Sequence, residues 1–195
     1  PSSAAFFAAL AALASGGAIE LPGVCSNPGR TGVFRVLDRM GARIGWEEMT
    51  DSGGEPVATL VVAPRTLKAT TIGADEVPSL IDELPVLACV AARAPGETRV
   101  TGAAELRVKE SDRIALVVRN LRAVGADAEE LPDGFVVRGS DRPLRGRIET
   151  EGDHRIAMAF GVLGAATGGA IEIDDPACVG VSYPSFWSDL ADACD

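Results

Sequence analysis

Glu105-Leu106-Arg107-Val108-Lys109-Glu110-Ser111-Asp112-Arg113, continuing through Ile114 to Arg122, changes character once and abruptly. Up to Arg113 only Leu106 and Val108 are apolar. Beyond it, Ile114, Val117, Val118 and Leu121 recur at i, i+3, i+4 and i+7, which is one apolar stripe of a helix. Ser111 or a near neighbour is placed to cap the first turn. Lys109, Glu110 and Arg113 therefore sit at a helix mouth, where free N–H donors and partial positive charge favour an anion. The same residue types also serve as a solvated cap with i,i+3 pairing.

The surroundings of this helix recur along the chain. It ends at Val124-Gly125-Ala126, and the helix carrying Val33, Val36, Leu37 and Met40 ends in the same way at Met40-Gly41-Ala42, 84 positions earlier (124 against 40). Before each comes an apolar helical segment and a short strand: residues 4–14 then Ala18 to Leu21, and Leu84 to Ala92 then Glu97 to Val100. After each come two strands: Ala42 to Glu47 with Ala58 to Val62, and Ala126 to Glu130 with Gly134 to Arg138. A third, shorter copy starts at Asp153, with Ile156, Ala159, Phe160 and Leu163 on its helix face, a strand at Ala170 to Ile173 and a last helix from Pro184 to Ala193. Gly17-Ala18-Ile19-Glu20-Leu21 returns almost unchanged as Gly169-Ala170-Ile171-Glu172-Ile173. Three related helix–strand–helix–strand–strand units predict a closed pseudo-threefold α/β domain. The apolar helices are expected to be buried together with the sheets outside. No linker or composition break divides residues 1–195, which read as one domain.

Composition narrows the functions. The chain has 195 residues, 47% hydrophobic and 24% charged, a globular profile with room for a core. Its formal charge of −10 argues against nucleic acid, whose binding needs a basic face. No run is long and apolar enough to span a bilayer and no signal peptide is visible, so no membrane partner is expected. The first residue is Pro1, so the native N-terminus is expected to be missing and targeting is left open. Cys25, Cys89, Cys178 and Cys194 show no metal-binding spacing and suit free thiols in a reducing cytoplasm, with Cys89 in an apolar run as core. His154 is the only histidine, so a His-based metal site or a Ser-His triad would have to use it, and no metal is expected.

Charge sits at the helix starts of every unit: Arg30 after Asn27-Pro28, Asp82 and Glu83 before Pro85, the Lys109–Arg113 run, and Asp153-His154-Arg155. In a closed threefold domain these ends gather on one face. The combined helix dipoles with Lys109, Arg113 and Arg155 would then make an anion site holding two carboxylates, Asp82 and Glu110.

Lys109-Glu110-Ser111-Asp112-Arg113 and Asp153-His154-Arg155-Ile156-Ala157-Met158-Ala159-Phe160 resemble the two signature segments of the 5-enolpyruvylshikimate-3-phosphate synthases (3-phosphoshikimate 1-carboxyvinyltransferases). Pro1-Ser2-Ser3-Ala4-Ala5-Phe6, Asn27-Pro28-Gly29-Arg30-Thr31-Gly32 and the segment around Val77-Pro78, Leu80-Ile81-Asp82-Glu83, Pro85 and Leu87-Ala88 are similar to further segments of that family, in its order. The resemblance spans essentially the whole chain. It implies the enolpyruvyl transferase inside-out barrel of βαβαββ units. It also implies that this chain is the C-terminal domain of a two-domain enzyme, with the N-terminal domain absent and the active site in the cleft between them. The implied reaction transfers the carboxyvinyl group of phosphoenolpyruvate to the 5-hydroxyl of shikimate 3-phosphate and releases phosphate, a step of aromatic amino acid biosynthesis. No cofactor is implied, and the full enzyme is expected to be a cytoplasmic monomer.

By the same resemblance, Asp82 contacts the 5-hydroxyl and accepts its proton, with a plain helix cap as the alternative. Glu110 protonates the methylene carbon of phosphoenolpyruvate, which calls for a partly desolvated carboxyl group; its alternative is an ion pair with Arg113. Arg113 and Arg155 grip phosphoenolpyruvate through their fork geometry. Lys109 lies between the substrates, or is a solvated surface lysine. His154, grouped with the substrate-binding residues, orients Arg155 or tunes the local charge, with a merely hydrogen-bonded histidine as the alternative. Asp153 reads as a cap rather than a catalyst, and no role is given to Arg30. Val181 stands where some members carry a ligand-binding lysine. Glu105 stands where some use Asn near the phosphate, so it is expected to turn away. UDP-N-acetylglucosamine enolpyruvyl transferase shares fold and donor but lacks the two signature segments; a noncatalytic anion-binding domain is the reading from another class.

Overall fold

The structure, a computed structural model, describes residues 1–194. Its first helix, α1 (Ser2–Leu13), has no polar face: Ala5 to Ala12 are all buried. A sequence of Ala, Phe and Leu without charge can only be placed inside. The chain then runs through β1 (Ile19–Cys25), α2 (Gly32–Arg39) and the hairpin β2 (Arg43–Ser52) and β3 (Glu55–Ala63). Next come β4 (Thr71–Ile72), α3 (Leu84–Ala91), β5 (Gly96–Val100), α4 (Arg113–Ala123) and the hairpin β6 (Asp127–Leu131) and β7 (Gly134–Gly139). The last elements are β8 (Gly146–Ile148), α5 (His154–Ala166), β9 (Ile171–Ile173) and α6 (Phe186–Asp192).

β4-α3-β5-α4-β6-β7 is one complete βαβαββ unit, flanked by α1-β1-α2-β2-β3 before it and β8-α5-β9-α6 after it. Each unit has its own sheet, in the orders β1-β3-β2, β4-β5-β7-β6 and β8-β9. The leading strands β4 and β8 pair in parallel with β5 and β9, and the hairpins pair antiparallel. All eight residues of α3 are buried, as are nine consecutive residues of α5, Ile156 to Gly164. α1, α3 and α5 contact one another at the centre, and α2 and α4 turn one apolar face inward against the sheets. The expected arrangement of buried helices inside sheets is what forms. Its register leaves no space at Gly139, where a Cβ would run into the carbonyl oxygens of Ala91 and Ala94.

The expected helices and strands are present, with shifted ends. β2 runs to Ser52 instead of stopping at Glu47, after a register irregularity between Glu47 and Thr50 where Glu48 takes φ 52°. β4 and β8, the leading strands that a βαβαββ unit implies, were not located from the residues; at two and three residues they show no alternation to read.

Candidate active site

α4 begins at Arg113, and its cap is Asp112, whose side chain accepts the Ala115 N–H at 3.1 Å. Lys109 and Glu110 therefore lie before the helix, in the bend that follows the 3₁₀ turn Ala104–Val108. Arg107 holds that bend in place. It donates to Asp112 Oδ2 at 2.8 Å and to the carbonyls of Leu131 and Pro132 at 2.7 and 2.8 Å, tying the cap to the β6–β7 hairpin.

The Arg113 side chain is 1% exposed. A guanidinium group so deep must be matched by acceptors. Nε and Nη2 donate to the two oxygens of Asp153 at 2.7 and 3.3 Å, Nη1 donates to Asp82 Oδ1 at 3.0 Å, and Nη2 also reaches Glu110 Oε2. Asp153 is itself fully buried. A tight turn, with Glu151 at φ 52° and Gly152 at φ 76°, delivers it to the start of α5. There it accepts the Arg155 N–H at 2.9 Å and the Ser111 hydroxyl at 2.9 Å. Burial opposes ionisation of this carboxyl group, but the hydrogen bonds and charge of Arg113, with Ser111 and the Arg155 N–H, outweigh it and hold its pKa below the usual range.

Asp82 lies in the 3₁₀ turn Ile81–Glu83 that leads into α3 and makes no helix cap. It faces three cations instead: Arg113, Lys109 Nζ at 3.7 Å and Arg155 Nη2 at 3.9 Å. Arg155 Nη1 donates to the Asp82 carbonyl at 3.2 Å and lies 3.5 Å from Glu83 Oε1. Asp82, Lys109, Glu110, Arg113, Arg155 and the adjoining His154 thus share one face, where the starts of α1, α3, α4 and α5 converge.

The electrostatics differ from a ready-made anion site. Lys109, Arg113 and Arg155 are each already paired, and five carboxylates surround them: Asp82, Glu83, Glu105, Glu110 and Asp153. Two expectations need correction. Glu110 is 53% exposed, not desolvated, because it reaches back from the open bend across Arg113. Glu105 does not turn away; one helical turn before Lys109, its Oε1 meets Nζ at 2.8 Å. That hydrogen bond is the main reason the Lys109 pKa is raised, with the charge of Asp82 adding to it against partial burial. Glu105 and Glu110 are the most exposed of the five, with 65% and 53% of the side chain open to solvent.

His154 is half-buried beside Ser2, Ser3, Arg155 and Tyr183; burial lowers its pKa, against the charge of Asp153, so it is neutral at pH 7. Arg30 is exposed and lines a cavity of about 180 Å³ with Ser2, Asp82 and Glu83. Val181 is 85% exposed at the end of the 3₁₀ turn Pro176–Val181, with Val108 at 80% before Lys109. Sequence reasoning missed the Arg113–Asp153 pair, the buried Glu83 beside Arg155 and the Arg107 staple. The first spans 40 positions, and only the presence of acids in both signature segments hinted at it.

A sequence profile of EPSP synthase (3-phosphoshikimate 1-carboxyvinyltransferase) matches residues 1–190. The chain belongs to the EPSP synthase family. The 3-phosphoshikimate 1-carboxyvinyltransferases of Sulfurihydrogenibium sp. (strain YO3AOP1) and Aquifex aeolicus (strain VF5) are 49% and 51% identical to it, over 97% of this chain and 44% of each relative. The solved EPSP synthase from Acinetobacter baumannii superposes with a TM-score of 0.93 at 43% identity, over 99% of this chain and 45% of that one. The enolpyruvyl transferase NikO from Streptomyces tendae, at TM-score 0.65 and 21% identity, shares the fold. The chain thus spans under half the length of these EPSP synthase relatives. None of its described helices is long and apolar enough to cross a membrane.

Proposed function

We propose that, in a longer polypeptide, this chain is the C-terminal domain of a 3-phosphoshikimate 1-carboxyvinyltransferase and forms one wall of its active-site cleft. The reaction joins phosphoenolpyruvate to the 5-hydroxyl of shikimate 3-phosphate and releases phosphate. The observation that carries the reading is the convergence of Arg113, Lys109 and Arg155 on the single carboxylate Asp82, by residues from both segments typical of the family.

Asp82 orients the acceptor hydroxyl and takes its proton. Arg113 and Arg155 offer N–H edges to the carboxylate or phosphate of phosphoenolpyruvate, a match that guanidinium makes and ammonium does not. The donor first displaces Glu110 from Arg113 Nη2, which sends that carboxyl group into the cleft beside the substrate's methylene carbon. Closure of the cleft then supplies the desolvation that a proton donor needs and that the open face lacks. Lys109, exchanging Glu105 for substrate oxygens, bridges the two ligands, and neutral His154 packs beside Arg155 without carrying charge. We place the full enzyme in the cytoplasm as a monomer.

Phosphate release by the full-length polypeptide, supplied with phosphoenolpyruvate and either acceptor, tests the reading. Turnover with shikimate 3-phosphate is expected; turnover with UDP-N-acetylglucosamine alone would overturn it. Residues 1–195 by themselves should give no detectable turnover, since one wall cannot orient both substrates.

A further inference from the structure

We infer that Asp153 is a positioning residue, acting through Arg113 and Arg155 to set the spacing of the two guanidinium groups that receive the anionic substrate. This rests on the functional reading above. Asp153 is fully buried and cannot touch a ligand in the cleft. What it touches instead is the fixed side of both arginines. One oxygen takes Arg113 Nε at 2.7 Å and the Ser111 hydroxyl at 2.9 Å; the other takes the Arg155 backbone N–H at 2.9 Å and Arg113 Nη2 at 3.3 Å.

A guanidinium group has five donors in one plane. Asp153 occupies the Nε side, so the outer Nη edge of Arg113 is turned toward Asp82 and Glu110, on the substrate face. Because the same carboxylate caps α5, whose second residue is Arg155, one group fixes the position of both arginines. Ser111 anchors the carboxylate from the α4 side and links the two signature segments directly. A cap alone would need neither full burial nor the Arg113 contacts.

The test is a double-mutant cycle in the full-length enzyme. Asp153→Asn keeps the shape and an oxygen for the α5 cap, but sets an amide or a neutral oxygen against Arg113 Nε. It should lower kcat/KM for phosphoenolpyruvate by about 100-fold, the scale of an ångström-sized misplacement, mostly through KM. In an Arg113→Lys background the same change should cost less than roughly twofold, because the residue it acts through has gone. A structural role would instead lower both backgrounds equally. Should Asp153→Asn fail to fold, Ser111→Ala carries the test: it should raise KM several-fold with Arg113 present and leave it unchanged in the Arg113→Lys enzyme. Equal losses in the two backgrounds, or no loss with Arg113 present, would overturn the inference. An unsubstituted enzyme without turnover would instead overturn the functional reading, and the inference with it.

Discussion

Replacing Arg113 by Met asks how much of the fold depends on the charge cluster. The Met side chain fills much of the same space, and Asp82 and Glu110 are exposed enough to turn to water. Asp153 has no such escape: it is fully buried and keeps only the Ser111 hydroxyl and the Arg155 N–H. Breaking a buried pair by removing one partner costs about 3–5 kcal/mol, so the variant should lose that much in urea unfolding at pH 8. The pH dependence then separates this cause from lost packing. With Arg113 present, the Asp153 pKa is lowered, so its contribution is in place above the unfolded value of about 3.9 and fades as pH falls through the folded value. Without Arg113, burial dominates and the folded pKa rises above the unfolded one. The defect should then shrink as pH falls from about 8 to about 4, where the unpaired, buried carboxyl group of the variant takes up a proton inside the fold. A loss below about 1 kcal/mol, or one that stays the same across that range, would refute the argument.

Further outcomes follow from the same geometry. In the full-length enzyme, Glu110→Gln should lower kcat by about 10²–10⁴-fold, as expected for loss of a proton donor, with KM changed far less; equal effects on both would remove its role as acid. Glu105→Gln removes the negative charge that faces Lys109 at 2.8 Å and should tighten shikimate 3-phosphate binding several-fold at low salt, an advantage that isothermal titration should see vanish at high salt. Gly139→Ala should destabilise the fold by about 1–3 kcal/mol, the range for overpacking, because its Cβ would meet backbone oxygens of Ala91 and Ala94 that cannot move aside; unchanged urea stability would contradict the packing described.

The parts legible in the sequence are those with local causes. Continuous apolar helices such as Ala5 to Ala12 announce burial by composition, and the Gly-Ala steps after Met40 and Val124 mark the repeat. From these, the closed domain and the gathering of helix starts follow. What was hidden depends on distance or exposure. β4 and β8 exist only because β5 and β9 offer an edge to pair with. Asp153 looks like any helix cap until the fold brings Arg113 against it from 40 residues away. The exposure of Glu110 likewise follows from the open bend that carries it back across Arg113, which no periodicity encodes.

The central claim is that Arg113 and Arg155 jointly receive the donor and release Glu110 from its pairing. A crystal structure of the unsubstituted full-length polypeptide, soaked with phosphoenolpyruvate and shikimate 3-phosphate and frozen before turnover, measures this directly. The account predicts donor oxygens within hydrogen-bond distance of both guanidinium groups, residue 110 swung off Arg113, and the acceptor hydroxyl at Asp82. Donor bound elsewhere, with residue 110 still lying across Arg113, would contradict it.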